Sequence, residues 1–145
     1  MSKKHTIVLF ISIIIIILLY SLMGGGGAKT DLDIGEDALS ISYKDFSMSI
    51  DYDNVTAIEA VELSDFGTAV TGGEDKACRW GVWESESLGE YSQYTILGTS
   101  NAILLHLHDG SKALLSYESG DTTVMLAQLL FDMLTEHGYN VDYIA

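Results

Sequence analysis

The feature that most constrains this chain is an uninterrupted apolar segment near its N-terminus, residues 7–23 (IVLFISIIIIILLYSLM). The segment has no charged residue, and its run of isoleucines leaves no polar stripe, which excludes an amphipathic helix packed on a soluble core. At about 1.5 Å per residue, a helix of these 17 residues reaches roughly 25 Å, and the uncharged residues 24–28 extend it past the ~30 Å hydrocarbon layer. We therefore predict a single transmembrane helix over residues 7–23.

A cleaved signal peptide is the alternative interpretation of the same segment. Signal peptides have a shorter apolar region, about 7–15 residues, followed by a small-x-small cleavage site, and Gly26 and Ala28 supply such a site. The length of the apolar run favours an uncleaved anchor. Lys3 and Lys4 precede the run and acidic residues follow it, so the positive-inside rule makes residues 1–6 cytoplasmic. Both interpretations export the rest of the chain, and we expect a single-pass protein of the cell membrane with an extracytoplasmic domain.

The chain beyond the apolar segment has room for a linker and one domain. Residues 24–37 begin with four glycines and continue with acidic residues, a composition typical of a flexible linker. Residues 29–145 are enough for one domain with a single hydrophobic core and too few for two, and we predict that this domain spans residues 38–145. The single cysteine, Cys78, cannot form an internal disulfide, so packing must stabilise the domain.

The exported residues are strongly acidic. Residues 29–145 contain five basic and 21 acidic residues, a net charge of −16. Such a charge repels nucleic acid and anionic lipid headgroups, since both bind to positive patches. We therefore expect contact with the lipid bilayer only through residues 7–23, and a basic surface on any protein partner in the cell envelope.

The exported residues alternate as β-strands do and end in one helix. Residues 38–51 predict a hairpin with one buried face, and residues 54–63 predict a third strand. Asp109-Gly110 between two apolar runs predicts a two-residue hairpin turn, which places Leu105 and Leu114 on the same face of the sheet. A helix is predicted from an N-cap at Asp121 to a C-cap at Gly138, with a tail or an edge strand after it.

This arrangement resembles the bacterial PH-like (pleckstrin-homology-like) domains of membrane-anchored proteins of uncharacterised function. The resemblance covers roughly residues 38–137. It is carried, in chain order, by Arg79 and Gly81, Gly89-x-Tyr91, the strand AILLHL, Asp109-Gly110, ALLS and an apolar helix with a late leucine.

The resemblance implies a mainly β fold, a partly open antiparallel barrel of about seven strands capped by one C-terminal helix. In this chain the N-terminal transmembrane helix would precede that domain. The resemblance also implies a non-catalytic role, so we expect neither an enzyme nor a cofactor. The acidic surface departs from the lipid-binding PH domains, and lipid headgroup recognition is therefore not carried over.

A cluster of aromatic residues provides the candidate binding surface: Trp80, Trp83, Tyr91 and Tyr94. Such a cluster either belongs to the core or forms an exposed groove that captures a peptide or an edge strand of a partner. Acidic residues flank the cluster, so a groove here favours a basic partner. The predicted function is a protein-interaction or scaffolding module.

Metal binding by a cleaved, secreted domain is the alternative function. Residues two apart in a strand face the same way, so His106 and His108 can share one metal ion. A third ligand is needed and none is indicated, so two ordinary strand histidines are the simpler interpretation. Residues 31–37 and 51–62 contain Asp-x-Asp pairs but lack the glycine that an EF-hand loop needs at its sixth position.

Catalysis has little support in the sequence. Cys78 lies between Lys76 and Arg79, which favours a reactive thiolate, but no histidine stands in a motif that would make it the base. A small buried hydrophobe is the other interpretation of Cys78. The run Glu84, Glu86 and Glu90 is typical of a solvated strand face, and nothing marks one of these residues as an acid in an apolar pocket.

Overall fold

The structure is a computed structural model that describes residues 32–117 and 119–144. The predicted cytoplasmic residues 1–6, the predicted transmembrane helix over residues 7–23 and residues 24–31 of the predicted linker lie outside the described residues. Within the two described ranges, no helix has both the length and the apolarity that crossing a membrane requires.

The described residues are mostly β-structure, with 51% of them in strands and one α-helix near the C-terminus. The strands are β1 (Leu32–Ile34), β2 (Ala38–Tyr43), β3 (Phe46–Asp51), β4 (Val55–Glu62), β5 (Thr68–Ala69), β6 (Gly73–Glu74), β7 (Cys78–Ser85), β8 (Gly89–Ile96), β9 (Asn101–Leu107), β10 (Lys112–Leu115) and β11 (Asp142–Ile144). The helix α1 spans Gly120–Glu136, and a 3₁₀ turn over Tyr52–Asn54 joins β3 to β4. The prediction of a mainly β fold with one C-terminal helix is confirmed for this part of the chain.

The strands form two sheets, and neither is closed into a barrel. The small sheet is antiparallel in the order β1-β2-β3, and the large sheet has the order β11-β4-β9-β10-β8-β7-β5, with β6 also paired to β7. β10 runs parallel to β8, and β11 runs parallel to β4. The predicted antiparallel barrel is therefore not observed. Two reversals of chain direction separate β8 from β10, so placing these strands side by side makes them parallel.

The first predicted hairpin is confirmed. β2 and β3 pair over their whole lengths around a two-residue turn, in which Lys44 adopts a φ of 55°. β1 adds a third strand, although its residues fall in the predicted linker over residues 24–37. The physical reason is that Leu32 and Ile34 place apolar side chains against the main core. The described residues 32–37 of that predicted linker are therefore part of the folded domain.

The main core lies between one face of the large sheet and a layer made of the small sheet and α1. The layer contributes side chains such as Ile41 and Leu134, and the large sheet contributes side chains such as Ile58 and Leu105. The helix begins with a capping box at Ser119, two residues before the predicted N-cap. Gly138, at φ 86°, follows the helix end as predicted.

The second predicted hairpin, β9–β10, forms with a register one residue away from the prediction. Leu105 pairs with Ala113 instead of sharing a face with Leu114. The turn has three residues, because the Leu107 N–H donates to the Ser111 carbonyl at 3.0 Å. Since a shift of one residue exchanges the two faces, Leu114 lies on the side of the large sheet opposite the main core.

That opposite side carries a second, smaller core. Its buried members are Trp83, Tyr91, Ala102, Leu104 and Leu114. The segment that follows β4 covers it, with Leu63 and Phe66 packed against the buried residues. This segment also forms β5 and β6 along β7. The large sheet is therefore covered on both faces.

Candidate functional site

The four aromatic candidates lie on two neighbouring strands but on opposite faces of the large sheet. Trp80 and Trp83 belong to β7, and Tyr91 and Tyr94 belong to β8. The ladder pairs Trp80 with Tyr94, and Trp83 with Tyr91. Because these two pairs point to opposite faces, the four side chains do not form one continuous groove.

Trp83 and Tyr91 belong to the second core, with exposed fractions of 6% and 2%. The Trp83 indole N–H donates to the Trp80 carbonyl at 3.0 Å, and the Tyr91 hydroxyl donates to the Phe66 carbonyl. Burial raises the pKa of Tyr91. Both side chains therefore make their hydrogen bonds inside the domain, and the bond from Tyr91 to Phe66 holds the segment that follows β4 against the sheet.

Trp80 and Tyr94 face the main core, beside the turn of the small sheet. Tyr94 is 1% exposed, and Trp80 is half-buried. The ring of Tyr43 lies 5.4 Å from each of these two rings. The ammonium of Lys44 lies 4.5 Å from the centre of the Trp80 ring, a cation–π contact. The chain's own Lys44 therefore covers part of the most accessible of the four candidates.

Four side chains form an inter-sheet latch between the β2–β3 turn and the β6–β7 segment: Tyr43, Lys44, Asp75 and Trp80. The Asp75 carboxylate accepts a hydrogen bond from the Tyr43 hydroxyl at 2.5 Å and pairs with the Lys44 ammonium at 2.9 Å. The backbone N–H groups of Ala77 and Cys78 donate to the same carboxylate, each at 2.8 Å. These hydrogen bonds, that of Tyr43 first, hold the pKa of Asp75 well below its ordinary value. The latch thus joins the two sheets, and the charge of Lys44 is paired with Asp75 of the same chain.

The two histidine candidates have different surroundings. His106 lies in β9, and its Nε2 is 2.8 Å from Oε2 of Glu59 on the neighbouring strand β4. His108 lies in the exposed turn after β9, where its backbone N–H donates to the Asn54 carbonyl at 2.9 Å. In the part of the chain that the structure describes, no three His, Cys, Asp or Glu side chains are grouped to hold a metal ion. The polar partner of His106 is a carboxylate on the next strand.

The remaining candidates from the sequence are either solvated or buried. A cleft of about 390 Å³ at the end of the β7–β8 hairpin has four acidic residues in its lining: Asp65, Glu84, Glu86 and Glu90. Cys78 is fully buried in the main core, with its Sγ 3.8 Å from the Tyr94 hydroxyl. The burial of Cys78 agrees with a small hydrophobe and keeps its thiol away from any substrate.

A further surface, which no sequence motif indicated, is the outer side of β3. This strand ends the order β1-β2-β3, and no other strand in the described ranges pairs with it. A two-residue turn is closed by a hydrogen-bonded pair, here Tyr43–Phe46, and such pairs alternate along an antiparallel ladder. The backbone N–H and C=O groups of Ser47 and Ser49 therefore point away from β2. We call this row of backbone groups the β3 edge.

The β3 edge differs from the other sheet edges among the described residues. β1, β5, β6 and β11 have 3, 2, 2 and 3 residues, whereas β3 has 6. Proteins protect long edges with proline, lysine or a bulge, because an open edge pairs with other chains. The sequence of β3, FSMSID, has no proline and no lysine, and its ladder with β2 has no register shift. β3 is therefore a long edge without any of these three protections.

The side chains beside the β3 edge form a polar face bordered by acids. One face of the β2–β3 hairpin carries four serines, paired across the strands: Ser40, Ser42, Ser47 and Ser49. Together with Asp33 of β1, these serines are part of the lining of a cleft of about 300 Å³. Exposed Asp45 and Asp51 lie at the two ends of β3. Short hydroxyl side chains leave room for the side chains of an added strand.

Comparisons with known proteins gave no relative from which a function could be carried over. No protein-family model matches the chain, and neither the curated proteins nor the solved structures gave a match. A sequence signal for the β3 edge does exist in retrospect: serines alternate with apolar residues in both runs of residues 38–51, and the second run contains no lysine. That pattern identifies a strand with an unprotected edge once its place in the sheet is known.

Proposed function

We propose that this protein is a non-catalytic interaction module, held at the outer face of the cell membrane by residues 7–23, that binds a partner protein by strand addition to β3. The observation that carries the proposal is the β3 edge, a six-residue edge strand that has no proline, lysine or bulge. In strand addition the backbone hydrogen bonds supply affinity, and the flanking side chains supply specificity.

The backbone of β3 offers part of the binding free energy and leaves the rest to side chains. Ser47 and Ser49 each present one N–H and one C=O outward, so an added strand can form about four hydrogen bonds. At about 0.5–1.5 kcal/mol each, these bonds contribute about 2–6 kcal/mol. Loss of translational and rotational freedom costs at least about 4 kcal/mol. Contacts to the serine face and to the flanking aspartates must therefore supply most of the net affinity.

The PH-like relationship and the membrane anchor belong to the same proposal. The order of elements, strands followed by one helix packed on a sheet, supports a relationship to PH-like domains. The open sheet with its two parallel pairs departs from that family. The apolar residues 7–23, preceded by Lys3 and Lys4, support an anchor with the domain outside the cell.

Photo-crosslinking in cells tests the proposed docking site. A photoreactive amino acid replaces Ser49 in the full-length protein, and the matched control carries it at Gln128, which is exposed on α1. We expect a protein adduct that forms at position 49 and not at position 128. Adding Ser47→Pro should abolish this adduct, since it removes an outward N–H without removing a β2–β3 hydrogen bond. Adding Ser47→Ala should preserve it.

Three results would contradict the proposal. The first is that position 49 forms no adduct. The second is the same set of adducts at positions 49 and 128, which would indicate collisions instead of docking. The third is an adduct at position 49 that Ser47→Pro leaves unchanged while the domain stays folded. The melting temperatures of the Ser47→Pro and Ser47→Ala proteins establish that both remain folded.

A further inference from the structure

We infer that the strand that adds to β3 carries lysine or arginine at both of its ends, about six residues apart. This inference rests on the proposed function and specifies the chemistry of the partner. It follows from the juxtaposition of the β3 edge with exposed carboxylates at each end of the same strand.

The two ends of β3 are marked by Asp45 in the turn and Asp51 at the last strand position, both exposed. Six residue steps at about 3.3 Å separate them by roughly 20 Å. None of the ion pairs found among the described residues involves either carboxylate. Their charges are therefore available to a partner.

The small sheet and the turns beside it carry a net negative charge. Residues 32–54 contain six acidic residues and one basic residue, a net charge of −5. The single base, Lys44, is held by Asp75 at 2.9 Å and lies over the Trp80 ring. Lys44 thus does not neutralise the neighbouring Asp45, and a partner that approaches the β3 edge meets a negative field.

At the far end of β3 several carboxylates lie near one another. Burial raises the pKa of Tyr139, and the negative charges of Asp53, Asp37 and Asp51 raise it further. The Asp37 carbonyl also accepts the Tyr52 N–H at 3.0 Å, so the connection before β2 packs against the end of β3. Asp37 and Asp53 therefore add to the negative charge at the Asp51 end of β3, and Asp45 lies at the other end.

The side chains in the middle of β3 indicate which residues of the added strand suit the positions between its two basic ends. On one face the added strand meets the serines, which suit small polar side chains such as threonine or serine. On the other face it meets half-buried Phe46 and Met48, which pack against the main core and suit apolar side chains. The expected partner is thus an amphipathic strand with a basic residue at each end.

A pair of short peptides tests this inference on the full-length protein in lipid nanodiscs. The probe is acetyl-Lys-Val-Thr-Val-Thr-Val-Lys-amide, in which the lysines and threonines share one face and the valines the other, and its matched control has glutamate in place of both lysines. Residue-resolved hydrogen exchange follows the amides of Ser47 and Ser49. At low salt we expect the lysine peptide to protect both amides, and the glutamate peptide to need at least about tenfold higher concentration. Protection by the lysine peptide should weaken in 0.5 M NaCl.

Any other outcome overturns the inference. The outcomes also show whether the inference alone fails or the proposed function fails with it. Equal protection by both peptides, or stronger protection by the glutamate peptide, refutes the basic partner and leaves strand addition intact. Lysine-dependent protection that spares Ser47 and Ser49 refutes this site as the source of the preference. If neither peptide protects β3 at any concentration while position 49 still forms its adduct in cells, the partner has a different chemistry. If the adduct fails as well, the proposed function fails with it.

Discussion

Replacing Gly81 with alanine should destabilise the domain more than the same substitution at a glycine in an open turn. Gly81 has a φ of 109°, and an added Cβ would lie 2.4 Å from the Thr71 carbonyl oxygen and 2.7 Å from the Cα of Gly72. The left-handed backbone costs alanine about 1–2 kcal/mol. Displacing the covering segment costs about 1–3 kcal/mol more. We therefore expect Gly81→Ala to lower the free energy of unfolding by about 2–5 kcal/mol.

Gly98 provides the matched control. It has a φ of 92°, and an added Cβ would meet nothing within 4 Å, so Gly98→Ala should cost only the backbone strain of about 1–2 kcal/mol. Urea unfolding of the full-length protein, followed by the fluorescence of its two tryptophans, measures both changes. Equal losses for the two variants would show that the covering segment does not cross β7 closely at Gly81.

Three further predictions concern the cores, the helix and the latch. Leu114→Ala empties a fully buried site in the second core and should cost about 3–5 kcal/mol in urea unfolding; a loss below 1 kcal/mol would place Leu114 at the surface. Ser119→Ala removes the cap that accepts the Thr122 N–H at 3.2 Å and should cost about 1 kcal/mol, while Ser119→Asp should retain most of it. Asp75→Asn removes the charge that faces Lys44 and keeps an acceptor for the backbone. Folding lowers the pKa of Asp75, so the ionised carboxylate stabilises the folded state. This stabilisation is complete when the pH is above the pKa of Asp75 in the unfolded chain, about 4, and it declines as the pH falls below that pKa. The difference in melting temperature between wild type and Asp75→Asn should therefore be constant from about pH 8 to 6 and shrink below about pH 4; a difference that grew at low pH would contradict the latch.

The elements that the sequence predicted well depend on local signals. Alternation over residues 38–51 predicts the β2–β3 hairpin, because the period of a strand repeats within a few residues. Gly138 predicts the end of α1, because glycine tolerates the left-handed conformation that follows a helix. The spacing of Trp80 and Trp83 also predicts that their side chains do not share one groove, because residues three apart in a strand lie on opposite faces of the sheet.

The elements that the sequence did not predict depend on contacts between distant residues. The parallel pairing of β10 with β8 follows from where the β9–β10 hairpin inserts, which no local pattern encodes. The register of that hairpin depends on one backbone hydrogen bond between Leu107 and Ser111, which a two-residue turn at Asp109-Gly110 does not anticipate. The β3 edge is a property of strand order, so it becomes visible only when the sheet is known.

Hydrogen exchange at single residues of β3 tests the central claim most directly. In the purified full-length protein, the outward amides of Ser47 and Ser49 should exchange fast, and the amides of Met48 and Ile50, which the ladder directs toward β2, should exchange slowly. In native membranes that contain the partner, Ser47 and Ser49 should become protected while Met48 and Ile50 change little. Slow exchange at all four amides in the purified protein would mean that the chain's own residues already cover the edge, and would contradict the claim that β3 is open to a partner strand.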